Sequence, residues 1–391
     1  MFDDSKIDKL IDTRIKTNSK KWSRYNNETI PFWIADMDFK SPEFLVADII
    51  NRAKENYFGY TDPPKDLREN IVNWYKNFKK SIINGENIVF STSVLNSYET
   101  ILDSYLDKND EILFFTPIYA QLMKIAGRNY NVIQFDLEEF TNEVNFKKLY
   151  NQIDSLKSLK AIVLCNPQNP IGKIWKAWEL EKIVSLCREK NILLISDEIH
   201  SDIIYNGYEY KTLFNFVKKD DKKMFVLNSP GKSFNVSGLK ASYIISCQND
   251  VDFITSKIKE RRYNEIDIFS LVAMNSLYKN IEKSISWLQK TNYMIETNYN
   301  LLKKYLNKNK RVEISKAEST YLIWIKINES YCKDSNEIRE KLIKLYKIDL
   351  HEGTIFGNAG KYYLRMNIAC PEKILVTGLE RLLCALNNKD I

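Results

Sequence analysis

Between residues 87 and 246 the chain repeats one rhythm: a short apolar, β-branched run, a polar or proline-bearing turn, then an amphipathic stretch of helical period. Seven such runs predict strands: NIVFS (87–91), EILFF (111–115), NVIQF (131–135), AIVLC (161–165), ILLIS (192–196), MFVLN (224–228) and ASYIIS (241–246). Several are apolar on both faces, which suits a mostly parallel sheet covered by helices. Between them, VLNSYETILDSYL (94–106) and AWELEKIVSLCREKN (177–191) predict helices. Beyond about residue 270 the texture changes: a long helical stretch over 278–309 leads into two strand-like runs, TYLIWIKI (320–327) and KYYLRMNIAC (361–370). The expectation is an α/β fold. A large domain with a mostly parallel seven-stranded sheet spans 49–275, a smaller C-terminal α+β domain spans 276–391, and an N-terminal segment, 1–48, packs with the small domain.

Composition narrows the function classes. A chain of 391 residues can bury a large core, and 44% hydrophobic with 13% aromatic residues is incompatible with disorder. No apolar run approaches the roughly eighteen residues a membrane helix needs. The first residues mix charges of both signs instead of presenting a basic stretch and an apolar core, so no secretory signal is read there and a cytoplasmic address is expected. The excess of 58 Lys and Arg over 51 Asp and Glu is spread along the chain with no basic block, which makes nucleic acid a poor partner. Six widely spaced cysteines and two histidines leave no pattern for a metal site.

In α/β sheets ligands bind beyond the carboxyl ends of the strands. The residues there are polar and specific: TPIY after EILFF, NPQNPIG after AIVLC, DEIHSD after ILLIS and SPGKSFN after MFVLN. Each has a bland reading. Lys232 could be one more solvated lysine, Asp197 a helix cap, and NPQNPIG a proline turn. Together and in this order they answer the demands of pyridoxal phosphate, whose aldehyde needs an amine and whose ring nitrogen needs a carboxylate to stay protonated. Lys232 and Asp197 fill those two posts. The start of the helix after TSVLN offers the amides of Ser93, Val94 and Leu95 to a phosphate, and Ser229 adds a hydroxyl.

The segments PFWIADMDFKSP (31–42), FGYT (58–61), LCNPQNPIGKIW (164–175), SDEIHSDI (196–203), KSFNVSGL (232–239) and FGNAGKYYLRMNIACP (356–371) run over nearly the whole chain. In them the chain resembles fold-type-I pyridoxal-phosphate enzymes of the aminotransferase superfamily, and within it the MalY/PatB group of cystathionine β-lyases. The resemblance implies that Lys232 bonds the cofactor and removes the α-proton, that Asp197 pairs with the ring N–H, and that Asn169 and His200 lie near the ring hydroxyl. It also implies that Tyr119 stacks on the ring, that Arg365 grips the substrate α-carboxylate, and that Ala35 and Asp36 lie beside the substrate. Tyr60 would reach the phosphate of a neighbouring subunit's cofactor, which implies a homodimer with active sites at the interface. Three positions depart from the pattern: Gly231 stands where a serine is common, Lys240 where an arginine is common, and Ser93 where a glycine is usual. Lys240 would then face the phosphate as a point charge without the guanidinium fork.

Three functions follow from these residues. The first is a carbon–sulfur β-lyase acting on cystathionine, cysteine or an S-substituted cysteine, an amino-acid substrate in every case. The second is an aminotransferase served by the same side chains, and the third a non-catalytic binding protein that keeps the fold.

Overall fold

A computed structural model describes residues 4–25, 28–139 and 141–388. The chain enters through a helix, Asp4–Lys16, and a two-residue strand, β1 (Ile30–Pro31). The seven runs of the central region all form strands: β2 (Ile88–Ser91), β3 (Glu111–Thr116), β4 (Asn131–Asp136), β5 (Leu159–Cys165), β6 (Leu193–Asp197), β7 (Met224–Asn228) and β8 (Ser242–Ser246). They make one sheet in the order β2-β8-β7-β6-β5-β3-β4, in which β8 alone runs antiparallel to its neighbours. Every residue of β6, β7 and β8 is buried, the mark of a sheet covered on both faces. The register sets Cys165 beside Asp197 and Asp197 beside Leu227. The carboxyl ends of β5, β6 and β7 therefore finish along one edge.

The C-terminal region builds a second, antiparallel sheet. After β9 (Val312–Ile314), β10 (Leu322–Ile327) and β11 (Ile348–Asp349), the strands β12 (His351–Glu352) and β13 (Tyr363–Asn367) complete the order β12-β13-β10-β9. The long helical stretch expected over 278–309 is two helices, Ile268–Lys279 and Ile281–Leu306, parted at Asn280. There the Asn280 side chain donates to the Ser276 carbonyl and Ser284 donates to that of Leu277, so side chains take over the carbonyls at the joint.

The N-terminal segment packs against this second sheet. Trp22, Phe32 and Met37 share a buried cluster with Ile323, Met366 and Leu379, and β1 pairs in parallel with β11. Gly378 leaves room for the Phe32 ring, since a Cβ there would lie 2.3 Å from it. Two asparagines then clamp the extended stretch beyond Phe32. Asn367 donates to the carbonyls of Ile34 and Asp36 at 2.7 and 2.8 Å. Asn235, on the other side, accepts from the Met37 amide at 3.1 Å and donates to the carbonyls of Met37 and Phe39. Its backbone is left-handed, φ 57°, a conformation asparagine tolerates better than most residues. Asn235→Ala breaks three hydrogen bonds at this strained position and is expected to lower the unfolding free energy by about 3 kcal/mol in urea titration; a change below about 1 kcal/mol would mean that the clamp holds nothing.

Candidate active site

Lys232 stands on a tight turn that follows β7. Ser229 Oγ donates to the Ala241 carbonyl at 2.7 Å and accepts from the Gly231 amide at 3.1 Å, while Phe234 and Val236 close backbone bonds to Pro230 and Gly231. A Cβ on Gly231 would sit 3.3 Å from Ser229 Oγ, so glycine suits the crowding of this turn. The half-buried lysine donates from Nζ to the Ala35 carbonyl at 2.7 Å. Burial draws its pKa down to about 8; the Asp36 charge opposes the fall, and Arg365 and Lys240 add to it. A lysine in this state loses its proton far more readily than a surface one.

Asp197 ends β6, one strand away. It is buried, accepts from the Ile199 amide at 3.2 Å and has no ion-pair partner among the described residues. Burial pushes its carboxyl up to about 7, with Glu198 reinforcing the rise and Lys232 opposing it. His200 is buried with Nδ1 unpartnered and its ring edge-on to Tyr321, centroids 5.6 Å apart. Desolvation and the charges of Lys232 and Arg365 hold it neutral. The other acids of the same motif belong to the scaffold. Glu198 accepts from Ser196, Tyr210 and the Leu213 amide, and Asp202 pairs with the buried Lys79 at 2.9 Å.

Arg365 arrives from the second sheet, on β13. It is buried, yet no carboxylate meets it among the described residues. Nη1 donates to Asn169 Oδ1 at 3.3 Å, Nη2 donates to the Trp33 carbonyl at 2.7 Å and lies 3.1 Å from His351 Nδ1, and Nε has no partner. The guanidinium rests 4.8 Å from the centre of the Phe356 ring, and burial lowers its pKa to about 10. Such a cation leaves an anion-sized debt in the site. Asn169 is placed by its neighbour Gln168, whose Nε2 donates to the carbonyls of Phe115 and Pro117 at 2.7 and 2.8 Å. The same staple fixes the loop bearing Tyr119, a half-buried phenol whose pKa is raised by desolvation and felt by Arg365 and Asp197.

Lys232, Asp197, Asn169, His200, Tyr119, Arg365, Ala35 and Asp36 thus occupy one neighbourhood. Asp36 differs from expectation in that its carboxylate is already engaged, 2.5 Å from Arg14 Nη2. On the flank, Ser93 caps the helix Val94–Tyr105 by accepting from the Asn96 amide, so a serine at this position does structural work that glycine could not. That helix start is tied to Ser229 through adjacent residues: Ser229 bonds Ala241, and Ser242 Oγ donates to the Ser91 carbonyl at 2.9 Å. Lys240 is exposed, its charge reaching Lys232. Tyr60 is not brought to the site by its own chain; it is 99% exposed, beside a hollow of about 770 Å³ lined by Phe58, Phe90, Ile258 and Phe269. Sequence reasoning missed Trp33, His351, Asn235, Asn367 and Tyr321. Trp33, Asn235 and Asn367 lie inside the segments that carry the family resemblance and Tyr321 in a strand-like run, whereas nothing local marks His351.

Residues 28–382 match the family model described as aminotransferase class I and II. The chain is 28% identical to cystathionine beta-lyase PatB of Bacillus subtilis (strain 168), over 96% of this chain and 98% of that one. Among solved structures it is similar to a PLP-bound putative aminotransferase from Clostridium difficile 630, with a TM-score of 0.89, 31% identity and coverage of 96% and 98% of the two chains. It is also similar to the PLP-bound C-S lyase from Staphylococcus hominis, with a TM-score of 0.86, 27% identity and 95% of each chain covered.

The Asp197 carboxyl, at about 7, lies above the roughly 4 of an unfolded chain, so the native state holds the extra proton and stability falls as pH rises through that window. In the cofactor-free protein at pH 8, Asp197→Asn is therefore expected to raise the unfolding free energy by about 4 kcal/mol, a gain that shrinks below about 1 kcal/mol at pH 4. An equal effect at both pH values in denaturant titrations would show that burial of this charge is not what the site tolerates.

Proposed function

The chain belongs to the class I and II aminotransferase family, and from that premise we propose that it is a pyridoxal-phosphate-dependent carbon–sulfur β-lyase of the fold-type-I architecture. Its substrate would be cystathionine, cysteine or another S-substituted cysteine, and its products pyruvate, ammonia and a thiol. One observation carries the reading: an amine of lowered pKa, a buried acid without a counter-charge and a buried guanidinium without an anion converge from two sheets. A cofactor with an aldehyde at one end and a basic ring nitrogen at the other, joined to a substrate carboxylate, would answer all three.

Pyridoxal 5′-phosphate supplies an aldehyde that condenses with amines and a ring that withdraws electrons from the substrate Cα. Lys232 would be the amine that holds that aldehyde. Its Nζ, when not so engaged, would take the α-proton, and the Ala35 carbonyl at 2.7 Å would accept from the resulting ammonium. Asp197 would keep the ring nitrogen protonated, and forming that pair would relieve the burial penalty that lifts its own pKa. Asn169 and His200 would meet the ring hydroxyl, the neutral His200 having no competing protein bond at Nδ1. Tyr119 would cover a ring face. Ser93, Val94, Leu95 and Lys240 would hold the phosphate, with Ser229, whose hydroxyl proton is given to the Ala241 carbonyl, shaping the turn beside it. Arg365, aimed by Asn169 and the Trp33 carbonyl, binds the substrate α-carboxylate and thereby turns the Cα–H bond toward Lys232. The electron pair left by the Cα–H bond would form the Cα–Cβ double bond as the Cβ–S bond breaks to a thiolate, and water would hydrolyse the released aminoacrylate to pyruvate and ammonia.

The same groups support transamination, a reading favoured by the putative aminotransferase at 31% identity. A tenfold preference between the two outcomes needs only about 1.4 kcal/mol of barrier difference. We further propose a homodimer. Tyr57, Phe58 and Tyr60 are exposed, the last two beside the 770 Å³ hollow, and Tyr60 would complete the partner's phosphate site. The cytoplasm is the proposed location. All six cysteines are free, and among the described residues no helix is long and apolar enough to cross a membrane.

Incubation with cystathionine should release pyruvate and thiol at a rate indifferent to added 2-oxoglutarate; strict dependence on the keto acid, with no thiol, would assign transamination instead. Lys232→Ala should abolish turnover and the visible absorption band of the bonded cofactor while far-UV circular dichroism stays unchanged, and retention of either activity or band would remove Lys232 from its post.

A further inference from the structure

Around His351 the charges do not balance. Its ring stands edge-on to Trp33 and Phe356, with centroids 6.0 and 5.5 Å away, and Nδ1 lies 3.1 Å from Arg365 Nη2. An arginine N–H can only donate, so Nδ1 keeps its lone pair and the ring proton sits on Nε2. Burial, followed by the charges of Arg365, Arg339 and Arg24, pulls the pKa of this histidine down to about 2. Of those three arginines, Arg339 is neutralised by Asp349 at 2.8 Å and Glu352 at 2.5 Å. Arg365 is answered by the substrate α-carboxylate in the reading above. Arg24 remains.

Arg24 is exposed and makes no ion pair among the described residues; its guanidinium lies 4.8 Å from the centre of the Trp33 ring and 5.6 Å from that of Tyr25. Arg24 meets the Tyr25 ring, not its oxygen, and the Tyr25 hydroxyl donates to Asp349 at 2.6 Å. Trp33 joins the two uncompensated arginines. Its carbonyl receives Arg365 Nη2, its ring carries Arg24, and its indole Nε1 is buried without an acceptor. Arg365 Nε is likewise unanswered inside a side chain that is 97% buried by its 3% exposure. Arg24, Trp33 Nε1, His351 Nε2 and Arg365 Nε are all donors, and a single α-carboxylate leaves part of this set unused.

We infer that Arg24 and Trp33 form a second anion subsite beyond Arg365, which selects cysteine thioethers whose sulfur substituent ends in a carboxylate. The thioether part of this statement rests on the β-lyase reading; the subsite itself rests on the unpaired donors. A guanidinium stacked on an indole is pre-organised for bidentate contact with a carboxylate, which makes arginine better suited to the post than lysine.

The test is calorimetric binding to the holoenzyme of two probes that lack an amine and so cannot react: 3-(carboxymethylthio)propanoate, with a carboxylate at each end, and 3-(ethylthio)propanoate, with one. The wild type is expected to bind the dicarboxylate about fivefold tighter, as one partly desolvated arginine–carboxylate contact allows, and Arg24→Gln to bring the ratio near one. Equal affinities in the wild type, or a preference that survives in Arg24→Gln, would overturn the subsite. Failure of every cysteine thioether to yield pyruvate, with the binding preference present and lost in Arg24→Gln, would remove the lyase reading and leave the subsite standing.

Discussion

The site depends on how one extended stretch of backbone is held. From Ile34 to Phe39 the chain has no strand partner of its own in either sheet, yet its carbonyls are taken by Asn367 on one side and Asn235 on the other. Asn367 closes the strand that carries Arg365, and Asn235 lies three residues beyond Lys232. Between the two clamps, the Ala35 carbonyl meets the Lys232 amine. A group from the parallel sheet and a group from the antiparallel sheet are thereby measured against the same short ruler. Reactions that need a carboxylate gripped at one point and a proton removed at another require such a shared frame.

Charge is treated in two ways within this protein. Where it serves the scaffold it is paired: Lys21 with Asp38 at 2.7 Å, Lys79 with Asp202 at 2.9 Å and Lys173 with Glu179 at 2.7 Å, each pair buried. At the site it is left unpaired, and Lys232, Asp197, His200 and Arg365 are all displaced toward their neutral forms, with burial the leading cause in each. Unpaired buried groups cost stability, and that cost is recovered only when complementary charges bind. The contrast separates catalytic machinery from framework more sharply than residue type does, since lysine and aspartate appear on both sides of it.

The departures at Gly231 and Ser93 have local explanations. Gly231 fits a turn in which Ser229 Oγ already fills the space beside it, and Ser93 caps the helix Val94–Tyr105. Lys240, exposed and lacking the planar fork, keeps charge near Lys232 without the geometry of an arginine.

Much of this was legible along the chain. Alternating and continuous apolar runs mark strands because side-chain burial on a pleated sheet is a local property, and all seven central strands formed where the pattern placed them. Lys232 and Asp197 could be named in advance because adjacent parallel strands must end on the same edge, and a polar residue after each run has nowhere else to go. The division of SDEIHSD into Asp197 and His200 at the site, with Glu198 and Asp202 in the framework, was not legible, since those acids differ only in what packs against them. Neither was the break at Asn280, nor the part played by Trp33 and His351. Arg365 and Asn169 touch although 196 positions separate them, and a contact of that kind exists only once two sheets have docked and every intervening core residue has found its place.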